Sequence, residues 1–331
     1  MVVSDTQKVQ TDINSVVLSR IGALARRNRL AHAYLFVGPA DVGKSATAIA
    51  VAKMLNCEDV QYNRGDMFCN NCPSCKKIDS GNHPDVHRLI SGFGDTIKID
   101  DIRTILGQSR LRPFQSDRKI FIITNIENLS QESGNALLKT LEEPSKSSLL
   151  LLTSSRPARV MATVKSRCQL IHFYPLSIGA LALRLKACYD MGDDINFIAH
   201  FAEGCLGKAK RFKQIDIFKI KNEVIDTFVL SYNSDTLIDK VCKDKQKARE
   251  FFDILLSWIR DCLLIKVGVE EDGENFVNLD RIHDIRRFQE RFSFAELEEI
   301  SLYIINLRRL LSENLNLKLP IWFLREKIWG R

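Results

Sequence analysis

Residues 38–45, with the sequence GPADVGKS, constrain the fold more than any other part of this 331-residue chain. They match the eight-position pattern of a phosphate-binding loop, between the apolar run 33–37 and the helix-forming run 46–55. Glycines in such a loop let backbone N–H groups approach phosphate oxygens, and the dipole of the following helix favours an anion. The pattern therefore predicts a strand, a nucleotide-binding loop and a helix, with a glycine turn of no chemical importance as the alternative.

The same pattern predicts a role for each loop residue. We expect Lys44 to reach the β- and γ-phosphates and the hydroxyl of Ser45 to hold magnesium, so that ATP with magnesium is the candidate ligand. Backbone groups of the glycine-containing segment would surround the phosphates. The nucleotide-binding residues predicted from the loop are Gly38, Pro39, Gly43, Lys44 and Ser45.

ATP hydrolysis also needs an acidic pair at the end of a neighbouring strand. The strand in position for this role is 119–123, and the residues that follow it are Thr124 and Asn125. Neither side chain can act as a general base near neutral pH, and both are weak substitutes for a carboxylate at magnesium. Glu127 lies two positions further on, where we expect it to point elsewhere. The sequence therefore predicts little intrinsic hydrolysis.

Alternating strand and helix patterns define the first part of the chain. Apolar stretches recur at 86–90, 120–123 and 149–153 with helical segments between them, which is typical of a parallel sheet covered on both faces. Beyond residue 175 almost every segment has helical periodicity, and a capping box is expected at Ser293. We therefore predict an α/β fold followed by all-α structure, in two or three domains. The predicted domain ranges are 1–174, 175–212 and 213–331.

Four of the nine cysteines form a Cys-x11-Cys-x2-Cys-x2-Cys array within residues 57–75. Two-residue gaps let thiolates converge on one tetrahedral ion, and four sulfurs leave no position open for water or substrate. We therefore expect structural zinc, with an iron–sulfur cluster or four unconnected thiols as the alternatives. The predicted ligands are Cys57, Cys69, Cys72 and Cys75.

Charge and hydropathy limit the setting of the chain. No stretch approaches the roughly 18 apolar residues of a membrane span, and the first residues lack the apolar core of a secretory signal. With an odd number of cysteines and no export signal, a reducing cytoplasm is the expected location. The formal net charge of +7 favours polyanionic partners such as DNA only weakly.

Several longer strings occur in order along the chain. They are LAHAYLFVGPADVGKSATA at 30–48, the cysteine array after the first loop helix, HPDVHRL at 83–89, NALLKTLEEP at 135–144, Ser-Arg-Cys at 166–168 and ENLNLKLPIWFL at 313–324. Together they resemble the clamp-loader branch of the AAA+ ATPases. The resemblance implies a RecA-like AAA+ domain with a zinc module, a small helical lid domain and a C-terminal helical collar domain that mediates oligomerisation.

The resemblance also implies roles for single residues. Arg167, in the Ser-Arg-Cys string, corresponds to an arginine finger that enters the ATP site of a neighbouring subunit, and an ordinary surface arginine is the alternative. Thr153 and Ser154 correspond to the sensor of the γ-phosphate, and Thr153 joins the nucleotide-binding residues. Gly207 takes the position at which motor subunits of the family keep a sensor arginine, and Lys208 is the residue that follows this position.

Two features differ from the motor subunits of the family: the acidic pair is replaced by Thr124 and Asn125, and Gly207 stands at the position of the sensor arginine. Both favour a non-motor subunit of the bacterial DNA polymerase III clamp loader over the alternative, a gamma/tau-like ATPase motor. The implied function is to support ATP-driven loading of the sliding clamp onto primed DNA, as a component of the polymerase holoenzyme that is not itself the polymerase.

The implied partners are gamma/tau and delta subunits in a hetero-oligomeric ring, and primer-template DNA and the sliding clamp through the complex, with no membrane. The expected location is the bacterial cytoplasm, at the nucleoid through the replisome. An unrelated phosphate-loop ATPase or kinase and a zinc-dependent DNA reader are weaker hypotheses, the latter because the array lacks the histidines of a base-reading finger.

Overall fold

The computed structural model describes residues 14–59, 67–91, 96–109, 111–145, 147–188, 194–231, 235–271, 275–311 and 316–329. These residues form two compact units. The first comprises the described residues up to Leu176 together with Cys205–Lys208, and the second comprises Ser177–Gly204 and the described residues from Ala209 onward. The three domain ranges expected from the sequence stay predictions.

Within the described residues, a parallel sheet of five strands forms the centre of the first unit, in the order β2-β3-β4-β1-β5. The strands are β1 Ala33–Val37, β2 Val86–Leu89, β3 Lys119–Ile123, β4 Ser148–Ser154 and β5 Gln169–His172. Every residue of β1, β3 and β4 is buried, as the continuous apolar runs predict for a sheet covered on both faces. The sequence pattern does not predict the edge strand β5, because only Ile171 of its four residues is buried.

Six α-helices of the described residues flank this sheet. Their bounds are α1 Ser15–Arg26, α2 Lys44–Asn56, α3 Pro73–Ser80, α4 Ile99–Ser109, α5 Gln131–Glu142 and α6 Ala162–Lys165. Because successive side chains of a strand point to opposite faces, alternate residues of β1, β3 and β4 enter two separate cores. One core contains residues of α1, α2 and α3, and the other contains residues of α4, α5 and α6. The predicted α/β fold is confirmed.

The chain after β5 contains helices and, in its described residues, no strand. Its elements are α7 Ile178–Cys188, α8 Asp194–Phe201, α9 Leu206–Gln214, α10 Ile217–Val224, a π-helix Ile225–Val229, α11 Asp235–Cys242, α12 Lys245–Lys266, a 3-10 turn Leu279–Arg281, α13 Ile282–Gln289, α14 Phe294–Leu310 and α15 Lys318–Trp329. The predicted capping box is confirmed, because Ser293 Oγ accepts the N–H of Glu296 at 3.3 Å and the Glu296 carboxylate accepts the N–H of Ser293 at 2.8 Å. The segments 99–110, 178–191, 218–232 and 294–315 have helical periodicity in the sequence, and their last residues, 110, 189–191, 232 and 312–315, lie outside the described residues.

The long helix α12 contributes both apolar and polar groups to the core of the second unit. Trp258 is fully buried on this helix, and so is Asp261. The Asp261 carboxylate accepts the backbone N–H groups of Val277 and Asn278 at 3.2 and 2.7 Å, and burial raises the pKa of this carboxyl group. Among the described residues, no helix combines the length and the apolar composition that crossing a bilayer requires.

Candidate functional site

The phosphate loop depends on backbone geometry that only glycine adopts easily. The loop connects β1 to α2, and Gly43 has a φ of 101° immediately before the first helical residue. Gly38 has a φ of 152°, and a Cβ at this position would lie 2.3 Å from the backbone oxygen of Phe173. Thr153 on β4 pairs with Phe36 of β1, close to the start of the loop. The predicted sensor residue therefore lies beside the strand that leads into the predicted loop.

Lys44 is buried against the loop that precedes it. Its Nζ donates to the backbone oxygens of Gly38 at 2.8 Å and Pro39 at 2.5 Å. Burial lowers the pKa of Lys44, and the carboxylate of Glu127 opposes this shift. A phosphate oxygen could accept a hydrogen bond from the same ammonium group. Ser45, the predicted magnesium ligand, is exposed in the first turn of α2.

The end of β3 bears amide and hydroxyl side chains at the two positions of the expected acidic pair. After Ile123, the Nδ2 of Asn125 donates to the backbone oxygen of Ser91 at 2.8 Å, and the Oγ1 of Thr124 accepts the N–H of Ser91 at 3.1 Å. The Oγ1 of Thr153 accepts the N–H of Asn125 at 3.3 Å. Both side chains are thus used to connect neighbouring strand ends.

Glu127 lies beyond β3, in the 3-10 turn Ile126–Asn128. Its Oε1 accepts the N–H of Ser155 at 2.9 Å and the hydroxyl of the same residue at 2.6 Å. Burial alone would raise the pKa of Glu127, but these hydrogen bonds outweigh burial and lower it, which keeps the carboxylate ionised near neutral pH. Glu127 therefore accepts hydrogen bonds from Ser155, in the segment that follows β4, and its negative charge also opposes the burial that lowers the pKa of Lys44. No sequence pattern indicated this interaction between Glu127 and Lys44.

The four predicted zinc ligands lie together. The Sγ atoms of Cys57, Cys69, Cys72 and Cys75 are all within 4.8 Å of one another. A tetrahedral zinc ion with four Zn–S bonds of about 2.3 Å separates its sulfurs by about 3.8 Å. The Sγ atoms of Cys57 and Cys69 lie 3.6 Å apart, close to this separation. The donor set and its spacing therefore fit zinc.

Backbone N–H groups point at the sulfur atoms of this cluster. The N–H of Cys72 donates to the Sγ of Cys69 at 3.2 Å, and the N–H of Cys75 donates to the Sγ of Cys72 at 3.4 Å. Burial alone would raise the pKa of the Cys69 thiol, but backbone donors outweigh it and lower the pKa to about 7. At Cys69 the donors favour the thiolate, which is the form that binds metal, whereas burial raises the pKa of the thiols of Cys57 and Cys75.

Arg167 follows α6 and lies at the surface of the first unit, with its side chain 36% exposed. Its Nη2 lies 2.7 Å from a carboxylate oxygen of Glu142, and its Nη1 donates to the backbone oxygen of Thr163 at 3.0 Å. The next residue, Cys168, is buried. The guanidinium is therefore accessible to a neighbouring molecule while its orientation is held.

Comparisons with known proteins connect these features. The family model described as DNA polymerase III, delta subunit, matches residues 13–177, and the model described as DNA polymerase III, delta subunit, C terminal, matches residues 216–322. The DNA polymerase III subunit delta' of Bacillus subtilis (strain 168) is 26% identical over 321 residues, which cover 94% of each chain. The chain belongs to the DNA polymerase III delta-prime family of clamp-loader subunits.

Other similar proteins include both delta' and tau subunits. The subunit delta' of Pseudomonas aeruginosa is 37% identical over 146 residues, or 44% of each chain. The tau subunit of B. subtilis is 31% identical over 276 residues, but these cover 75% of this chain and 48% of tau. A crystal structure of a DNA polymerase III gamma subunit-related protein from Thermotoga maritima has a TM-score of 0.54 at 18% identity, with 94% of this chain and 99% of that one covered. The two proteins share a fold.

Gly207 lies against the phosphate loop. Its N–H donates to the backbone oxygen of Asp41 in the phosphate loop at 3.0 Å. A Cβ at Gly207 would lie 2.9 Å from that oxygen and 3.2 Å from the Cβ of Asp41. An arginine here, which the resemblance assigns to motor subunits, would therefore require the loop to move.

Proposed function

We propose that this chain works as the delta-prime-like subunit of the bacterial DNA polymerase III clamp loader. In this role it supports ATP-driven loading of the sliding clamp onto primed DNA, supplies Arg167 to the ATP site of a neighbouring subunit and hydrolyses little ATP itself. The observation that carries the proposal is a combination of two features: the chain has an arginine that a neighbour can reach, and it lacks the acidic pair of a hydrolytic site. An accessible and oriented guanidinium at Arg167 occurs together with a strand end, at Thr124 and Asn125, that bears no carboxylate.

The chemistry of arginine suits action at a neighbouring site. A guanidinium has a permanent charge and a fixed fork of N–H donors, which stabilise the negative charge on a transferring phosphoryl group. Arginine fingers supplied by a neighbour accelerate phosphoryl transfer by roughly 10³- to 10⁵-fold. An exposed arginine that is already oriented needs little rearrangement to act in this way.

Apolar surfaces on the last two helices support assembly with other subunits. Leu302 and Ile305 on α14 are 55% and 47% exposed, and α15 exposes Leu319, Trp322 and Phe323. Each set has helical spacing and so lies on one face of its helix. Exposed apolar side chains in groups are typical of interaction sites. We propose gamma/tau and delta subunits as the partners in a ring, with primer-template DNA and the clamp contacted through the complex.

The predicted ligands would have passive roles in this function. Zinc held by the four cysteines would be closed to substrate and would stabilise the connection between α2 and α3. ATP with magnesium at the phosphate loop, with Lys44, Ser45 and Thr153, would stabilise the folded chain by binding to it. Neither ligand needs to react for the chain to supply Arg167.

The test is the substitution Arg167→Ala in a reconstituted clamp loader. We expect DNA-stimulated ATP hydrolysis at the neighbouring site to fall by roughly 10³-fold, because that site loses its arginine. Size-exclusion chromatography should show normal assembly. The matched control is Arg159→Ala, another exposed arginine nearby in the 3-10 turn Pro157–Arg159, which should keep full activity. A loader with Arg167→Ala that hydrolyses ATP at the original rate would disprove the role of Arg167 as an arginine finger.

The second candidate is a gamma/tau-like motor, which the intact phosphate loop and the similarity to tau favour. A steady-state ATPase assay on the purified chain alone separates the two functions. Negligible turnover supports the delta-prime-like role. Robust turnover that Lys44→Ala abolishes would establish the motor instead.

A further inference from the structure

Glu142 contacts the proposed finger, although the proposed function gives it no role. It is the last residue of α5, and its Oε1 lies 2.7 Å from the Nη2 of Arg167. The side chain of Glu142 is 50% exposed and that of Arg167 is 36% exposed, so the ion pair lies at the surface.

The other contacts of the guanidinium come from the turn around α6. The Nη1 of Arg167 donates to the backbone oxygen of Thr163 at 3.0 Å and to the Oγ of Ser166 at 3.4 Å. One terminal nitrogen is therefore held by this turn and the other by the end of α5. In the part of the chain that the structure describes, the Nε–H of Arg167 has no acceptor, so at least one donor is left for another molecule.

We propose that Glu142 is a positioning residue for Arg167, and that their ion pair orients the guanidinium so that its unoccupied donors face the ATP site of a neighbouring subunit. This inference rests on the proposed function of Arg167 as a finger. A long side chain in solvent samples many rotamers, and only some of them present the donors correctly. Holding both terminal nitrogens in advance removes part of the ordering that the transition state would otherwise require.

Stabilisation of the fold does not account for the ion pair. A pair in which both side chains are a third to a half exposed contributes little to stability, because water and salt screen the two charges. Removal of the Glu142 carboxylate should therefore leave folding intact and act through the orientation of Arg167. Misplacement of a positioned group by about 1 Å can slow a reaction by up to ~10²-fold.

The test uses the reconstituted clamp loader with Glu142→Ala in this chain. We expect kcat of the DNA-stimulated ATPase to fall by about 10-fold with the KM for ATP unchanged, because the finger acts mainly in the transition state. Glu142→Asp, which keeps the carboxylate, should recover part of kcat. The thermal unfolding midpoint of the isolated chain should not change.

The matched control is Glu143→Ala. Glu143 is the adjacent residue at the C-cap of α5, and within the described residues it forms no ion pair with Arg167. This variant should keep the original kcat. An equal loss of kcat in the Glu142 and Glu143 variants would overturn the inference, because it would show a general effect of charge at the end of the helix.

Arg167→Ala, measured in parallel, separates the two proposals. If Arg167→Ala is inactive and Glu142→Ala keeps full kcat, the finger stands and the positioning role is overturned. If Arg167→Ala is fully active, the finger itself fails and the inference fails with it. A Glu142→Ala loader faster than the original would also overturn the inference, by showing that the pair restrains Arg167. The double variant should be no slower than Arg167→Ala alone, because Glu142 acts only through that residue.

Discussion

The carboxylate of Asp85 accepts the backbone N–H of Phe114 at 2.7 Å, although the two residues are distant in sequence. Its second oxygen accepts the N–H groups of Gln115 and Ser116 at 2.9 and 3.0 Å. Asp85 is fully buried just before β2, whereas the side chain of Phe114, between α4 and β3, is 84% exposed. A buried carboxylate therefore fixes the backbone that presents an exposed aromatic ring.

Asp85→Asn should lower stability in a pH-dependent way. Burial alone would raise the pKa of Asp85, but the backbone donors outweigh it and lower the pKa below its ordinary value. A carboxyl group of this kind stabilises the fold above its unfolded-state pKa of about 4, and the stabilisation is lost as the pH falls towards the folded-state pKa. We expect a free energy of unfolding about 2 kcal/mol lower than that of the original chain at neutral pH.

Urea unfolding measured at neutral pH and again well below pH 4 checks this expectation. The difference between the two chains should shrink in acid, since the original Asp85 is then protonated as well. The control is Asp117→Asn, because Asp117 is an exposed carboxylate in the loop that contains Phe114. This variant should have the same stability as the original chain at both pH values. A difference that stays constant with pH would show that the Asp85 charge is not responsible.

Metal analysis should find close to one zinc ion per chain in protein purified without chelators. The four thiols converge as a tetrahedral ion requires, and backbone N–H groups donate to the Sγ atoms of Cys69 and Cys72. Cys72→Ser should lose most of the metal, because three sulfurs do not complete a closed structural site. Cys242→Ser, in α11 and outside the cluster, is the matched control and should keep it. Iron in place of zinc would favour the cluster alternative, and metal-free protein would contradict the site.

Local sequence patterns predicted the parts of the fold that depend on local chemistry. The strands β1, β3 and β4 contain the apolar runs 33–37, 120–123 and 149–152, and all residues of these strands are buried. The cysteine cluster was predictable because three of its members are spaced by two residues. The edge strand β5 was not predictable, since its residues pair only with β1 and are mostly exposed.

The polar contacts of the candidate site could not be predicted because they join distant segments. Glu127 bonds to Ser155 only because β3 and β4 are neighbours in the sheet. Glu142 reaches Arg167 because α5 ends near the turn that follows α6. No spacing rule links such pairs, whereas the phosphate loop has a pattern that the sequence displays directly.

Asp280→Asn should destabilise the second unit strongly. Lys221 is fully buried, its Nζ lies 2.5 Å from the Asp280 carboxylate, and the same atom lies 4.3 Å from the ring centroid of Phe218. Burial lowers the pKa of Lys221, and the bond to Asp280 opposes this shift. Loss of the carboxylate leaves a buried ammonium group without its counter-charge, which should reduce the free energy of unfolding by about 3 kcal/mol.

Chemical denaturation of the full chain, followed by circular dichroism, measures this loss. The control is Asp239→Asn, which breaks the ion pair of Asp239 with Lys318, where both side chains are 54% exposed. Solvent screens that pair, so its loss should leave the unfolding midpoint unchanged. Equal midpoints for the two variants would contradict the argument, because burial of Lys221 is the physical difference between the two ion pairs.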